Sequence, residues 1–472
     1  MSQTQDAKRQ GCALHGVIKL LDAIAGVVPI VHANAGCSLN AHFNANLPYS
    51  ANPQAFRSIQ ETSATTLQDK HVVFGGTARL REQIKNTLKV LQGDLYVVAS
   101  GCVPEIIGDD LPAMVKEARE QQFPVLGISA PGFKGNAYTG YANALKSLLI
   151  GIDSLYPDTT TAREPLRVNL FGLLPDQDPF WEADLLELER LLAAVGIQAN
   201  RLMGMGQTID AWKTARHASL SLVLSPWGSQ AADYLNSQHG VATLNLGWLP
   251  VGSQDCLWLL EQLATLLPVS PEQLAEAKQV LAYPLRYFLQ KISTLWLQHD
   301  LQKTAAIIAP AAYAVGLARF LAGTMGLPIA QVIISDDPDE LWHTPLRQAI
   351  EQISPDAQVL FGDEKQQLTQ LWRDNPAQVL FASHLEQDLA TQFTIPLLEI
   401  ASPLRQRLIL TRGYGGILGA LALVEDVSSI LLAHQQKHTN PPPQYRATQQ
   451  YADVRPAPAK VMTQPEASLS QG

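Results

Sequence analysis

Apolar runs alternate with helix-patterned segments three times along this chain, and that rhythm restricts it to the α/β class. Asp94-Leu95-Tyr96-Val97-Val98-Ala99-Ser100 reads as a strand, Asp110 to Gln121 as a helix, and Phe123 to Ile128 as the next strand. The pattern returns at Leu166 to Gly172 with a helix from Trp181 to Val195. It returns again at Ala305 to Ala309, with a helix from Ala311 to Met325 and a strand at Ile329 to Ile334. Runs that are apolar at every position, rather than at every second one, belong to parallel sheets covered on both faces. The expected fold is three doubly wound, Rossmann-like domains with parallel sheets around a cleft.

A chain of 472 residues is too long for one ordinary core. Boundaries are expected near residues 158–163 and along a long helical pattern from Pro271 to Lys303. The spans are then 1–163, 164–300 and 301–437. Residues 438–472 hold Pro441-Pro442-Pro443 and many Gln, Ala and Ser residues. They read as a disordered or partner-wrapping tail.

The charge balance narrows the function. A net charge of -9 and the lack of any lysine or arginine run argue against nonspecific nucleic-acid binding. Residues 1–9 have no apolar core and do not read as a signal peptide. No stretch is expected to span a membrane without polar interruption. Four cysteines in so long a chain do not form a disulfide framework. A reducing, cytoplasmic setting is expected, where clustered cysteines point to metal or redox chemistry.

Three of those cysteines stand in contexts that position a thiolate. Cys12 lies in Gly11-Cys12-Ala13-Leu14-His15-Gly16, Cys37 follows Gly36, and Cys102 opens Cys102-Val103-Pro104-Glu105 directly after a strand and Gly101. Strand ends are where open α/β sheets bind ligands, and neighbouring glycines admit bulky sulfur. Two readings stand: small buried hydrophobes, or three of the four thiolates of an iron–sulfur site, with the rest supplied by another chain. Zinc fits less well, because there is no Cys-x-x-Cys or His-x-x-x-His pair. His15 and His32 are candidates for ligands or for supporting hydrogen bonds. Cys256 reads as a packed residue near the start of a helix.

Other motifs are weaker. Phe74-Gly75-Gly76-Thr77 opens a helix-like segment that suits an anion but lacks a dinucleotide or phosphate-loop signature. Ser63, Thr65 and Thr66 suit a turn or cap. Asp109 and Asp110 are expected to cap the helix that follows. Gly413-Tyr414-Gly415-Gly416 is expected to turn tightly into a helix from Ile417 to Leu432.

With these residues laid out, the chain resembles the nitrogenase component 1 superfamily across most of residues 10–435. The stretches that carry it are His32 to Cys37, Val73-Phe74-Gly75-Gly76, Cys102 through Gly108-Asp109-Asp110, and Ala130 to Gly135. The resemblance implies an α/β heterodimer that dimerises again into an α2β2 heterotetramer. It implies that Cys12, Cys37 and Cys102 are ligands to an interfacial cluster, of the [8Fe-8S] P-cluster type or alternatively [4Fe-4S]. That cluster would relay electrons from an ATP-hydrolysing homodimeric iron protein to a cofactor in the α-type subunit. Phe74 matches a family phenylalanine at the iron-protein docking surface.

The resemblance also implies which subunit this is. An α-type chain would hold the active-site cofactor with a cysteine near Ser225 to Ser229 and a histidine shortly before Gly413, and neither is present. The chain therefore looks β-type. It departs from ordinary β-subunits in having no proline two residues after Cys12, and in carrying Gly132 where molybdenum nitrogenase has a serine. Such departures fit nitrogenase-like reductases, including methylthio-alkane reductases. Two alternatives share the fold: a non-catalytic cofactor-assembly scaffold subunit and a tetrapyrrole reductase subunit.

Overall fold

Strands β1 (Val27–His32) and β3 (Leu95–Ser100) are buried at every residue, because both faces of their sheet are covered by helices. They pair in parallel from Val27 opposite Leu95 to His32 opposite Ser100. The short β2 (Ser63–Ala64) and β4 (Val125–Ser129) complete a sheet of order β2-β1-β3-β4. This is a computed structural model, and it describes residues 9–38, 63–158, 162–362, 372–373 and 375–439. The expected tail lies outside the described residues from 440 onward.

Helices Ala13–Asp22 and Ala137–Leu155 cover one face of this sheet and touch backbone to backbone. A Cβ on Gly16 would sit 1.8 Å from the Ala137 carbonyl oxygen, and one on Gly140 1.9 Å from that of Ala13. Only glycine permits that approach. Helices Thr77–Val90 and Leu111–Glu120 cover the opposite face.

Two more parallel sheets follow along the chain. β5 (Glu164–Phe171), β6 (Gln198–Arg201), β7 (Ala218–Val223) and β8 (Ala242–Asn245) take the order β6-β5-β7-β8. β9 (Ala305–Ala309), β10 (Ile329–Ile334), β11 (Gln358–Phe361), β12 (Val379–Ala382) and β13 (Leu397–Glu399) take the order β11-β10-β9-β12-β13. Each sheet is drawn from one stretch of sequence, yet a single apolar core runs through all three, from Ala13 to Leu431.

The long helical pattern forms Pro271–Gln298, capped by the Ser270 hydroxyl, which accepts from the Gln273 N–H at 3.3 Å. It stops five residues short of the expected Lys303. The last helix, Gly416–Thr439, is long and apolar enough over Gly416–Gln435 to cross a membrane by length and composition, which the sequence reading did not anticipate. Its packing is that of a core helix. Ile417, Ala420, Leu423, Val427 and Leu431 are buried, and Asp426 binds Arg407 and Arg412 at 2.5 and 2.8 Å.

Candidate metal centre

Four chain segments meet at the carboxyl ends of β1, β3 and β4. Cys37 lies in a helical turn, residues 35–38, just after β1. Cys102 is the first residue of the helix Cys102–Ile107, directly after β3 and Gly101. Gly132 opens the short turn Gly132–Lys134 after β4. Cys12 comes from the far N-terminal side. It is held by an antiparallel bridge to Asn136 and by the Ala13 N–H donating to the Gly135 carbonyl at 3.1 Å.

Gly132 is the centre of this arrangement. Its N–H donates to Cys102 Sγ at 3.0 Å. A Cβ built on it would lie 3.3 Å from Cys102 Sγ, 3.4 Å from Cys12 Sγ and 2.9 Å from Cys12 Cβ. Two sulfurs therefore flank one glycine, and the missing side chain leaves room between them. Burial pushes the Cys37 thiol up from its ordinary value, and the nearby sulfurs of Cys12 and Cys102 push it further. All three cysteines are partly exposed, whereas Cys256 is buried at 1 % exposure. Cys256 lies within the helix Gly252–Leu266 as a packed residue.

Chemically this is a soft, sulfur-only donor set. Two of its members stand at helix starts, where the dipole favours a thiolate. Among the described residues no three His, Cys, Asp or Glu side chains close on a single metal ion. Soft thiolate donors of this kind suit iron–sulfur chemistry.

Neither histidine joins the sulfurs as a ready ligand. His32 is buried with both ring nitrogens engaged, Nδ1 with Thr65 Oγ1 at 3.1 Å and Nε2 with Asp109 Oδ2 at 3.0 Å. Burial lowers its pKa, and the Asp109 carboxylate opposes that. His15 Nδ1 accepts from the Cys12 N–H at 3.3 Å, which leaves the ring proton on Nε2. That Nε2 is buried without a hydrogen-bond partner among the described residues.

Asp109 does not cap the following helix, as the sequence suggested. Asp110 does so alone, accepting from the Ala113 N–H at 2.9 Å. Asp109 turns back instead, accepting from the Gly76 N–H at 2.7 Å and the Thr77 hydroxyl at 3.2 Å. The glycine pair expected to cradle an anion is thus filled by the chain's own carboxylate. Just before it, Phe74 ends the helix Asp69–Phe74 at 88 % exposure, and Gly75 takes φ +87°, a turn that favours glycine. Asp109 therefore ties β1, the Cys102 segment and the Phe74 knob together. Nothing in the sequence pattern signalled that link, because the partners are 77 and 33 residues away.

The places where an α-type cofactor ligand was sought are densely packed. Trp227 stacks on Tyr138 with ring centroids 5.6 Å apart and donates to Asp336 at 2.7 Å. The glycine-rich turn at 413–416 is held by Asp184, which accepts from the N–H groups of Tyr414 and Gly415 at 2.7 Å each and from the Tyr313 hydroxyl at 2.6 Å.

Comparison with known proteins gives the family. Residues 12–432 match the family model of the nitrogenase component 1 type oxidoreductases. The chain is 25 % identical over 407 residues to the nitrogenase molybdenum-iron protein beta chain of Bradyrhizobium diazoefficiens, covering 79 % of this chain and 75 % of that one. It is 28 % identical over 261 residues to the nitrogenase iron-molybdenum cofactor biosynthesis protein NifE of the same organism, covering 54 % and 45 %. The solved structure titled "Nitrogenase Cp1 at pH 6.5" shares the fold with a TM-score of 0.76 at 17 % identity, covering 96 % of this chain and 98 % of that one. This chain belongs to the nitrogenase component 1 type oxidoreductases, as a subunit of the β type.

Proposed function

We propose that Cys12, Cys37 and Cys102 hold one side of an iron–sulfur cluster shared with an α-type subunit, in a nitrogenase-like reductase. The observation that carries this reading is the pair of sulfurs flanking Gly132, one of them accepting its N–H. N–H donation to a ligand sulfur and partial burial are the levers by which a protein tunes such a cluster. A Cβ at position 132 would fill the space the sulfurs face, so the residues present fit the group. When bound, the cluster supplies one-electron transfer, of the [8Fe-8S] P-cluster type or alternatively [4Fe-4S].

The chain's own residues do the rest. Asp109 and His32 fix the Cys102 and β1 ends relative to each other. Phe74, on a short helix anchored through Gly76, offers an exposed ring to an ATP-hydrolysing homodimeric iron protein that delivers electrons. The active-site cofactor belongs to the α-type partner, in an α2β2 heterotetramer of the cytoplasm. The substrate is dinitrogen or a methylthio-alkane C–S bond, and the departures at Gly132 and after Cys12 favour the latter. The match to NifE supports a second reading, a cofactor-assembly scaffold.

Cys37→Ala and Cys102→Ala, each purified with the α-type partner, test the cluster. Each is expected to lose most of the iron per heterodimer and to weaken the heterodimer, while Cys256→Ala keeps both. Full iron in either of the first two variants sinks the ligand assignment. Repeated turnover with the iron protein and ATP separates the reductase from a scaffold, which hands over its cofactor once and stops.

A further inference from the structure

The third sheet has a crevice of the kind in which open α/β sheets hold ligands, and the chain's own Arg9 and Gln10 sit in it. From β9 the chain goes to β10 and β11 on one side, then returns to β12 and β13 on the other. Ligands bind beyond the carboxyl ends of strands where the order reverses in this way. Ser335 directly follows β10, and Ser383 directly follows β12. Gln10 donates to the Ser335 carbonyl at 2.5 Å, and Arg9 Nη1 donates to Ser383 Oγ at 2.8 Å.

The contacts of Arg9 are those of a bound guanidinium. Nη2 donates to Glu386 Oε1 at 2.6 Å and Nη1 to Oε2 at 3.1 Å, a two-pronged grip that matches the fork of the cation. Arg9, Ser383 and Glu386 are 6 %, 0 % and 4 % exposed, so the pair is shut away from water. The receiving half is built without the arginine. Glu386 Oε2 accepts from the Ser383 N–H at 3.1 Å and from its hydroxyl at 2.8 Å, which fixes the carboxylate in place. The Ser383 hydroxyl donates its one proton there and offers its lone pairs to Arg9 and to the Leu385 N–H at 3.1 Å. A preformed acceptor set of this shape fits a planar forked cation better than an ammonium.

The occupant is tied to the sulfur site. Cys12 lies three residues on, within about 11 Å of extended chain. The Arg9 carbonyl accepts from Gln177 Nε2 at 3.2 Å. Asn136, bridged to Cys12, donates to the Asp336 carbonyl at 3.2 Å. The segment from Arg9 to Cys12 is therefore pinned at both ends.

We propose that the crevice beyond β10 and β12 is a guanidinium-binding site, that Arg9 is its resident ligand, and that this occupancy positions Cys12. The positioning rests on the cluster reading above, whereas the site itself needs no iron.

Arg9→Ala, made in the complex as expressed, empties the site, and methylguanidinium chloride is the probe. The variant is expected to melt below the parent. Low-millimolar methylguanidinium is expected to return at least half of that loss with a saturable dependence, and tetramethylammonium chloride none of it. The parent, whose site is filled, is expected not to respond. Nor is Arg9→Ala combined with Glu386→Ala, which lacks the carboxylate. No saturable rise in Arg9→Ala overturns the site, as does an equal rise in the double variant. Positioning is read separately, because free methylguanidinium fills the crevice without holding Cys12. Probe-filled Arg9→Ala is therefore expected to keep an altered low-temperature paramagnetic resonance spectrum and about half the parent's iron or less. The parent's iron and spectrum in that state overturn the positioning. Arg9→Lys keeps the charge and serves where Arg9→Ala does not assemble. It is expected to melt below the parent with an altered spectrum, and a parent-like melting curve and spectrum overturn the assignment. Lack of iron in the parent itself sinks the cluster reading alone and leaves the melting assay intact.

Discussion

His32 Nε2 and Asp109 Oδ2 lie 3.0 Å apart with both side chains buried, joining the end of β1 to the loop behind Cys102. The same carboxylate holds Gly76 and Thr77. Asp109→Ala leaves three donors without their acceptor, at a cost of about 2–4 kcal/mol. Asp110→Ala removes only a helix cap, worth about 1 kcal/mol. Thermal unfolding of the two variants side by side checks this ranking, and equal melting temperatures would refute it.

Gly132→Ala puts a methyl group between the sulfurs of Cys12 and Cys102, closer to Cys12 Cβ than carbon atoms tolerate at 2.9 Å. The expected outcome is at least a twofold loss of iron per heterodimer and an altered low-temperature paramagnetic resonance spectrum, with the secondary structure unchanged. Iron analysis and circular dichroism on one preparation read both. A variant with full iron and the parent spectrum would show that the space at 132 is not used.

Phe74→Ala should leave the unfolding free energy within the range of a surface change, about 0.5 kcal/mol, because the ring is 88 % exposed. Electron delivery should fall about tenfold, the loss expected of a central aromatic anchor at a docking surface. Reduction by dithionite, which bypasses docking, should be unaffected. The test is a rate measured against iron-protein concentration, and an unchanged curve removes Phe74 from the docking surface.

Asp184 gives a pH signature. Burial pushes its carboxyl up to about 7, and the charge of Glu187 adds to this, although the Tyr313 hydroxyl and two backbone N–H groups pull the other way. The folded value lies above the unfolded one. The stabilisation is therefore complete below about pH 4 and is lost as the pH rises through about 7. Relative to Asp184→Asn, the parent should lose stability across that window at up to about 1.4 kcal/mol per pH unit. Denaturation at a series of pH values reads the difference, and parallel curves would show that the carboxyl does not titrate there.

The strands and the helices between them were legible because both are written locally. An uninterrupted apolar run such as Val97-Val98-Ala99 has few alternatives to a covered parallel strand. The three cysteines were legible as candidates, through their glycines and their places after strands. What stayed hidden was long-range pairing. Asp109 looked like a cap because its neighbour Asp110 is one, and only the fold brings His32 and Gly76 to it. The last helix was underestimated as an apolar span because Glu425 and Asp426 interrupt it, yet Asp426 is neutralised by two arginines remote from it on paper. The exposure of Val280, Tyr283, Tyr287 and Phe288 on the helix Pro271–Gln298 was invisible for the opposite reason. These residues match the core-facing ones in type, and only burial tells them apart.

Arg9, three residues before Cys12, reaches Ser383 at 2.8 Å and forms a buried ion pair with Glu386 at 2.6 Å. Gln10 bonds the Ser335 carbonyl. The segment leading into Cys12 is thus fastened to residues 374 and 377 positions further along the chain, so the seat of the first helix closes only through contacts of very long sequence separation, the kind that folding completes slowly.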